Sequence, residues 1–301
     1  MNFPISGVAV NPVLLVAIGF VVGILGGFFG VGGGFIAAPL MYLSGVPMNF
    51  VIGTDLAHMT GKSIVAARRH RTLGHVDAKL GVTMVPPTIL GVEAGARLIE
   101  ALKATGSLDV VIGVIYILIL LAIGTFTAWE SCRALRRMHG QDTTSGRDTE
   151  FRSVSRRAQR LPLPPVVSFP RSGIASVSLW AVLGVGFLTG ALSGTLGVGG
   201  GFIRMPLLVY ALGVPTHVAV GTDLFSIVFS AGYGTLTHAL KGNVDILMAL
   251  TMQTGAALGA QIGAVSTRYF TGPRIRLLFS VLPFVGALLM ILQLIGGVRG
   301  H

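Results

Sequence analysis

Gly30–Ile36 reads GVGGGFI, and Gly197–Ile203 reads GVGGGFI again. Both copies lie inside long apolar stretches, so two halves of a duplicated chain interrupt a hydrophobic segment at the same place. Paired glycine-rich breaks of this kind point to the binding site of a membrane transporter. Three glycines in a row leave the backbone approachable and let amide N–H groups converge on one spot. A short helix starting at Phe35 or Phe202 adds its positive end there, which suits an anion. Gly32, Gly33 and Gly34, with Gly199, Gly200 and Gly201, are therefore candidate substrate-binding residues. Close helix packing is the competing use of such glycines.

The duplication extends well beyond the breaks. Pro39-Leu40 matches Pro206-Leu207, Gly45-Val46-Pro47 matches Gly213-Val214-Pro215, and Gly53-Thr54-Asp55-Leu56 matches Gly221-Thr222-Asp223-Leu224. His70 pairs with His238, Val76-Asp77 with Val244-Asp245, and Gly91 and Gly95 with Gly259 and Gly263. A series in constant order over most of the chain is an internal repeat.

Composition fixes the solvent. Of 301 residues 52% are hydrophobic and only 11% charged, mean hydropathy is +0.79, and no charged side chain precedes Asp55. Apolar runs of bilayer-spanning length alternate with short polar breaks, the pattern of an all-α polytopic membrane protein. The net charge of +11 does not argue for nucleic acid. Nine of the 22 Lys and Arg residues fall between Arg133 and Arg171, as the Lys/Arg bias of cytoplasmic loops explains. The single cysteine, Cys132, cannot form an intramolecular disulfide and fits a reducing compartment. The N-terminal apolar run lacks a basic n-region and a small-residue cleavage site, so it reads as a retained helix.

Each half contains five apolar segments, roughly 12–30, 34–45, 49–67, 77–101 and 108–129, then 174–195, 201–213, 216–238, 244–269 and 275–297. The second of each set has about 12 residues and covers about 18 Å, against a hydrocarbon core of about 30 Å. It reads as a half-helix joined by unwound backbone. Counting it as a crossing makes the halves inverted and both termini external. Arg68, Arg69, Arg71, Arg268, Arg274 and Arg276 then share the inner side with the central loop, as the charge bias requires. The expected organisation is a first transmembrane repeat over 1–129, a basic flexible cytoplasmic linker over 130–173, and a second repeat over 174–301. The linker's Arg, Ser and Thr composition lacks the apolar surface to order itself.

The paired GVGGGFI motifs, each followed by proline, together with the GVP and GTDL echoes and the two-half plan, resemble the TauE/SafE sulfite exporter family. The likeness covers nearly the whole chain except the central loop and the termini. It implies transport of small sulfur-containing anions such as sulfite, sulfonates or sulfoacetate across a prokaryotic cytoplasmic membrane. The long basic linker departs from the pattern.

Several polar residues stand out inside the apolar segments. Arg204 follows the second break where the first copy has Ala37. A buried guanidinium presents a planar fork to sulfite or sulfonate oxygens, while snorkelling or a pair with Asp223 is the alternative. Asp55, His58 and Lys62 share one helical face by their spacing, and the second half carries Asp223, Ser226 and Ser230 on the equivalent face. Lys62 is a second candidate charge for the anion. Asp55, His58 and Asp223 form either a proton relay, with His58 in the right titration range, or internal ion pairs. Asp55 and Asp223, each following Gly-Thr, have helix capping as a further reading.

Glu93 and Arg97 read as a self-neutralising pair, and Pro86-Pro87 as a kink. Gln253 is available to bond a substrate or a neighbouring helix, and Asp77 and Asp245 read as helix caps. No residues have metal-ligand spacing. The expected protein is a secondary transporter, in the export direction, with no enzyme activity and no cofactor. Its partners are a small anionic substrate and the lipid bilayer, without nucleic acid, and the sequence is compatible with a homo-oligomer. An anion channel and an importer of a different small organic anion are the alternatives.

Overall fold

The computed structural model describes residues 2–103, 108–140, 163–196 and 201–298. The first half begins with a hairpin, β1 (Asn2–Phe3) and β2 (Val8–Ala9). It continues with α1 (Pro12–Phe29), α2 (Gly34–Leu43), α3 (Met48–Thr72), α4 (Ala78–Lys103) and α5 (Leu108–Gly140). The second half repeats the order: β3 (Val166–Phe169), β4 (Ile174–Ser178), α6 (Leu179–Leu196), α7 (Gly201–Tyr210), α8 (Thr216–Leu240), α9 (Ile246–Ser266) and α10 (Gly272–Val298). Pro12–Phe29, Ile117–Arg136 and Ile246–Tyr269 are long and apolar enough to cross a bilayer by length and composition.

Local signals set the element ends. Asn11 caps α1 by accepting from the Val13 N–H at 2.9 Å, and Pro12 opens the helix. Gly30 closes α1 in the left-handed region at φ 78°, a conformation that costs any residue with a Cβ. Gly33 repeats that conformation at φ 77° as it leads into α2. Two left-handed glycines three positions apart turn the chain sharply between α1 and α2. Helices α2 and α7 have 10 residues each, so each covers about half the hydrocarbon thickness. The short second segments expected from the sequence are therefore present.

The two halves are interleaved. Helix α1 packs mainly on α9, and α4 on α6, so the first helix of each half lies against the fourth helix of the other. Gly19, Gly23 and Gly27 face the backbones of Met252, Ala256 and Ala260, while Gly255, Gly259 and Gly263 face Val16, Phe20 and Ile24. Gly186, Gly190 and Gly194 likewise face the carbonyls of Met84, Thr88 and Val92. Residue numbers rise together across both contacts, so these helices are parallel. Missing Cβ atoms let the backbones touch, the main source of attraction between helices in lipid.

Equivalent helices meet in the opposite sense. Gly53 lies on Asn243, Leu56 on Gly234, and Gly221 on His75, so α3 and α8 run antiparallel. The same holds for α5 and α10, where Gly124 meets Phe284 and Glu130 meets Arg276.

Both hairpins continue the exchange. Asp77 caps α4 by accepting from the Leu80 N–H, and its other oxygen accepts from Ser172 N–H and Oγ–H at 3.2 and 2.7 Å. Asp245 caps α9 through Met248 and takes Ser6 N–H and Oγ–H at 3.1 and 2.8 Å. The capping expected for these two aspartates is thus correct. The hairpins that reach them were not anticipated. They also correct the second-half boundary: residues 174–178 form a strand, and the helix starts only at Leu179.

The linker assignment needs a second correction. Helix α5 runs to Gly140, past the apolar run that ends near residue 129. Glu130 anchors it by accepting from the Tyr210 hydroxyl at 3.0 Å and pairing with Arg276 at 3.5 Å. Ser131 and Ala134 are buried beneath it. At the other end, 166–173 belongs to the second hairpin. Residues 141–162 of the expected linker lie outside the described residues.

Candidate functional site

The two glycine breaks meet. A Cβ placed on Gly201 would lie 3.0 Å from the Gly32 nitrogen and 3.1 Å from both Asp223 Oδ2 and Ile227 Cδ1. Gly32 in turn lies against Met59, and Gly33 against Lys62 Nζ and Val22. Gly34 opens α2, and the Ile36 and Ala37 amides turn back to the Gly33 carbonyl at 3.0 and 3.1 Å. Gly199 and Gly200 lie outside the described residues.

Lys62 is the centre of the first-half site. It projects from α3, is 1% exposed, and its Nζ has no hydrogen-bond partner among the described residues. That nitrogen sits 2.6 Å from where a Gly33 Cβ would be and 3.2 Å from a Gly26 Cβ, a space only glycine leaves open. A charged ammonium is therefore held against the positive end of α2. Both features favour an anion.

The neighbouring α3 groups are only partly engaged. His58 Nδ1 lies 3.3 Å from Asp55 Oδ1, so Nδ1–H donates to the carboxylate. His58 Nε2 has no partner among the described residues. Gln253 on α9 packs over Gly61, and its Oε1 is also without a partner there. The capping reading of Asp55 and Asp223 fails, because both lie inside α3 and α8, whose N-caps are Pro47 and Pro215. Their Gly-Thr neighbours serve the fold instead. Gly53 and Gly221 admit the backbones of Asn243 and His75. Thr54 and Thr222 accept from the Asp245 and Asp77 N–H groups at 3.0 and 2.9 Å.

Arg204 realises the pairing alternative in this conformation. It is fully buried and donates to Asp223 Oδ1 at 3.2 Å, Thr88 Oγ1 at 3.3 Å and Thr189 Oγ1 at 3.3 Å. One side chain on α7 thereby ties together α4, α6 and α8. Asp223 Oδ2 keeps no partner among the described residues and faces Gly201. Thr88 and Thr189 carry no local signal that marks them as a guanidinium's partners, since each contact joins separate helices. Glu93 and Arg97 form the expected pair at 2.9 Å on the outside of α4.

A separate histidine group lies at the α3 C-terminal end. His70 Nε2–H donates to the Gly27 carbonyl at 2.8 Å, which leaves its Nδ1 to accept from His75 Nδ1–H at 3.2 Å. The His75 ring packs 5.2 Å from that of His217. Burial, and then the charge of His217, lower the His75 pKa from 6.5 to about 4. Among the described residues no three His, Cys, Asp or Glu side chains gather to hold a metal ion.

An apolar helical bundle in which paired half-helices meet beside unsatisfied polar groups has the build of a membrane transporter. The chain belongs to the sulfite exporter TauE/SafE family, matching it over residues 15–290. It is 30% identical to the probable membrane transporter protein YunE of Bacillus subtilis over 267 residues, covering 85% of this chain and 88% of that one. A second Bacillus subtilis protein, the probable membrane transporter protein YdhB, is 26% identical over 281 residues, or 92% of this chain and 99% of its own. A probable membrane transporter protein of Methanocaldococcus jannaschii is 24% identical over 295 residues, 93% and 95% of the two chains. No solved structure matches the chain. Family and relatives are membrane transporters and not enzymes.

Proposed function

We propose that the protein is a secondary transporter that exports small sulfur-containing anions, such as sulfite, sulfonates or sulfoacetate, across the cytoplasmic membrane. The observation that carries this reading is Lys62: a buried ammonium with no hydrogen-bond partner among the described residues, aimed at the glycine start of a half-helix that abuts the other break. A charge at membrane depth is expensive, and its ordinary justification is a ligand or pathway. The family match supports the anion's chemistry.

In this reading the anion sits at the joined breaks, held by Lys62 and the amides at Gly32, Gly33 and Gly34, with Gly201 on the opposite side. Arg204 orients Asp223 and turns to the anion only when that pair opens. The antiparallel meeting of α3 with α8 and of α5 with α10 supports inverted halves. Alternating access is then the rocking of one half against the other. Asp55, His58 and Asp223 are the groups through which protons couple to the anion.

Reconstitution into proteoliposomes tests the reading. Labelled sulfite is expected to move in a protein-dependent manner, and Lys62→Met is expected to abolish the movement. Sulfite flux undiminished in that variant refutes the site, and flux indifferent to an imposed pH gradient refutes the coupling.

A further inference from the structure

The backbone of Gly32 and Gly33 is flanked by two groups of opposite character that have no hydrogen-bond partner among the described residues. On the α3 side stands Lys62 Nζ, a donor only; on the α8 side stands Asp223 Oδ2. Arg204 donates to Asp223 Oδ1 and its charge favours the carboxylate form, in which Oδ2 can only accept. A ligand that satisfies both must bring a negative oxygen for the lysine and a hydrogen for the carboxylate.

We infer that the species bound at the breaks is a monoanion carrying its own proton, of the hydrogensulfite type, with an anionic oxygen on Lys62 and its hydrogen donated to Asp223 Oδ2. The inference rests on the transporter reading above and narrows it. A dianion sets its second charge against Asp223, and the further buried cation among the described residues at this spot, Arg204, is already paired with that carboxylate. A sulfonate is a monoanion, but it has no hydrogen to give, so Oδ2 faces bare oxygens. Asp223 is thereby the residue that selects among anions of equal size, by refusing those that lack a donor. Such refusal is effective because an unpaired buried polar group costs more than a good contact returns.

The other charged or titratable groups packed around this spot are few. They are Asp55 and His58 beside Lys62 on α3, and Arg204 on α7; Arg276 on α10 lies at the Thr216 end of α8. Helices α1, α2, α6 and α9 carry no charged side chain, and α4 presents Thr88.

Isothermal titration of the purified full chain with sulfite and with methanesulfonate, at pH values spanning the second ionisation of sulfurous acid, tests this. Methanesulfonate stays a donor-free monoanion throughout, so it reports any titration of the protein alone. Sulfite affinity is expected to fall with the hydrogensulfite fraction as pH rises. Methanesulfonate is expected to bind roughly tenfold or more weakly, without that fall. Asp223→Asn puts an amide donor where the acceptor was and is expected to reverse the preference. A merely structural role for Asp223 does not produce such a reversal.

Sulfite binding that strengthens as the dianion accumulates, or methanesulfonate binding as tightly as hydrogensulfite, overturns the inference. If Lys62→Met still abolishes binding in that case, the site stands and only the proton is wrong. If the wild-type protein binds neither anion, the site reading falls with it. Should Asp223→Asn fail to fold, the wild-type comparison of the two anions decides alone.

Discussion

Lys62→Met is expected to make the protein more stable and inactive at once. The ammonium is 1% exposed and has no hydrogen-bond partner among the described residues. Leaving a buried polar group unsatisfied costs about 1–3 kcal/mol, and more when it is charged. Methionine has nearly the same length and follows the same path along α3 past Gly26 and Gly33, without a charge to desolvate. Replacement therefore removes the penalty and keeps the packing, a gain of about 2–3 kcal/mol. In a thermal melt of the detergent-solubilised protein this appears as a rise of several degrees.

The wild type is expected to recover the same stabilisation from ligand. Sulfite at about 100 times its dissociation constant stabilises by about 2.7 kcal/mol, whereas the variant's melt is expected to ignore sulfite. A variant that melts lower than wild type shows that Lys62 is satisfied by the protein. A variant that melts higher yet still responds to sulfite shows that the anion binds elsewhere. Either result defeats the reasoning.

Three further outcomes are expected. Arg204→Ala strands the Asp223 carboxylate in a buried site and frees Thr88 and Thr189, a loss of about 3–5 kcal/mol that Arg204→Lys does not fully restore, measurable by the same melt. Ser6→Ala and Ser172→Ala each remove a hydroxyl donor to a buried aspartate and are expected to cost about 1.5–3 kcal/mol apiece. Because the two latches share no partner, the double variant's loss is expected to equal the sum within about 0.5 kcal/mol. Finally, His75 has its pKa lowered from 6.5 to about 4 in the folded state. Between those values the unfolded chain binds a proton that the folded chain refuses, so stability declines as pH falls through that window. His75→Gln is expected to flatten that part of the melting-temperature profile, and an unchanged slope contradicts the assignment.

Much of the architecture was legible because its causes are local or repetitive. Apolar runs, glycine breaks and Val-Pro turns marked the half-helices, since a 10-residue helix cannot span lipid whatever surrounds it. Asp77 and Asp245 were readable as caps because a cap bonds residues three positions away. Capping, the further reading of Asp55 and Asp223, was misleading, because their Gly-Thr preface looks like a helix start but serves contacts with residues far along the chain. Local reasoning also ended α5 at residue 129, where hydrophobicity stops. The helix continues because Glu130 is tied to Tyr210 and Arg276 from the other half.

The sequence by itself determined that the chain is a duplicated membrane protein whose two halves are broken at glycine, because periodicity, composition and repeat order survive in one dimension. Only the tertiary structure decided that the breaks touch and that each half lends its hairpin and first helix to the other. It alone showed that Arg204 is occupied while Lys62 has no hydrogen-bond partner among the described residues. Those facts depend on which atoms from distant segments share a small volume of low dielectric, and partners there are set by packing and not by spacing along the chain.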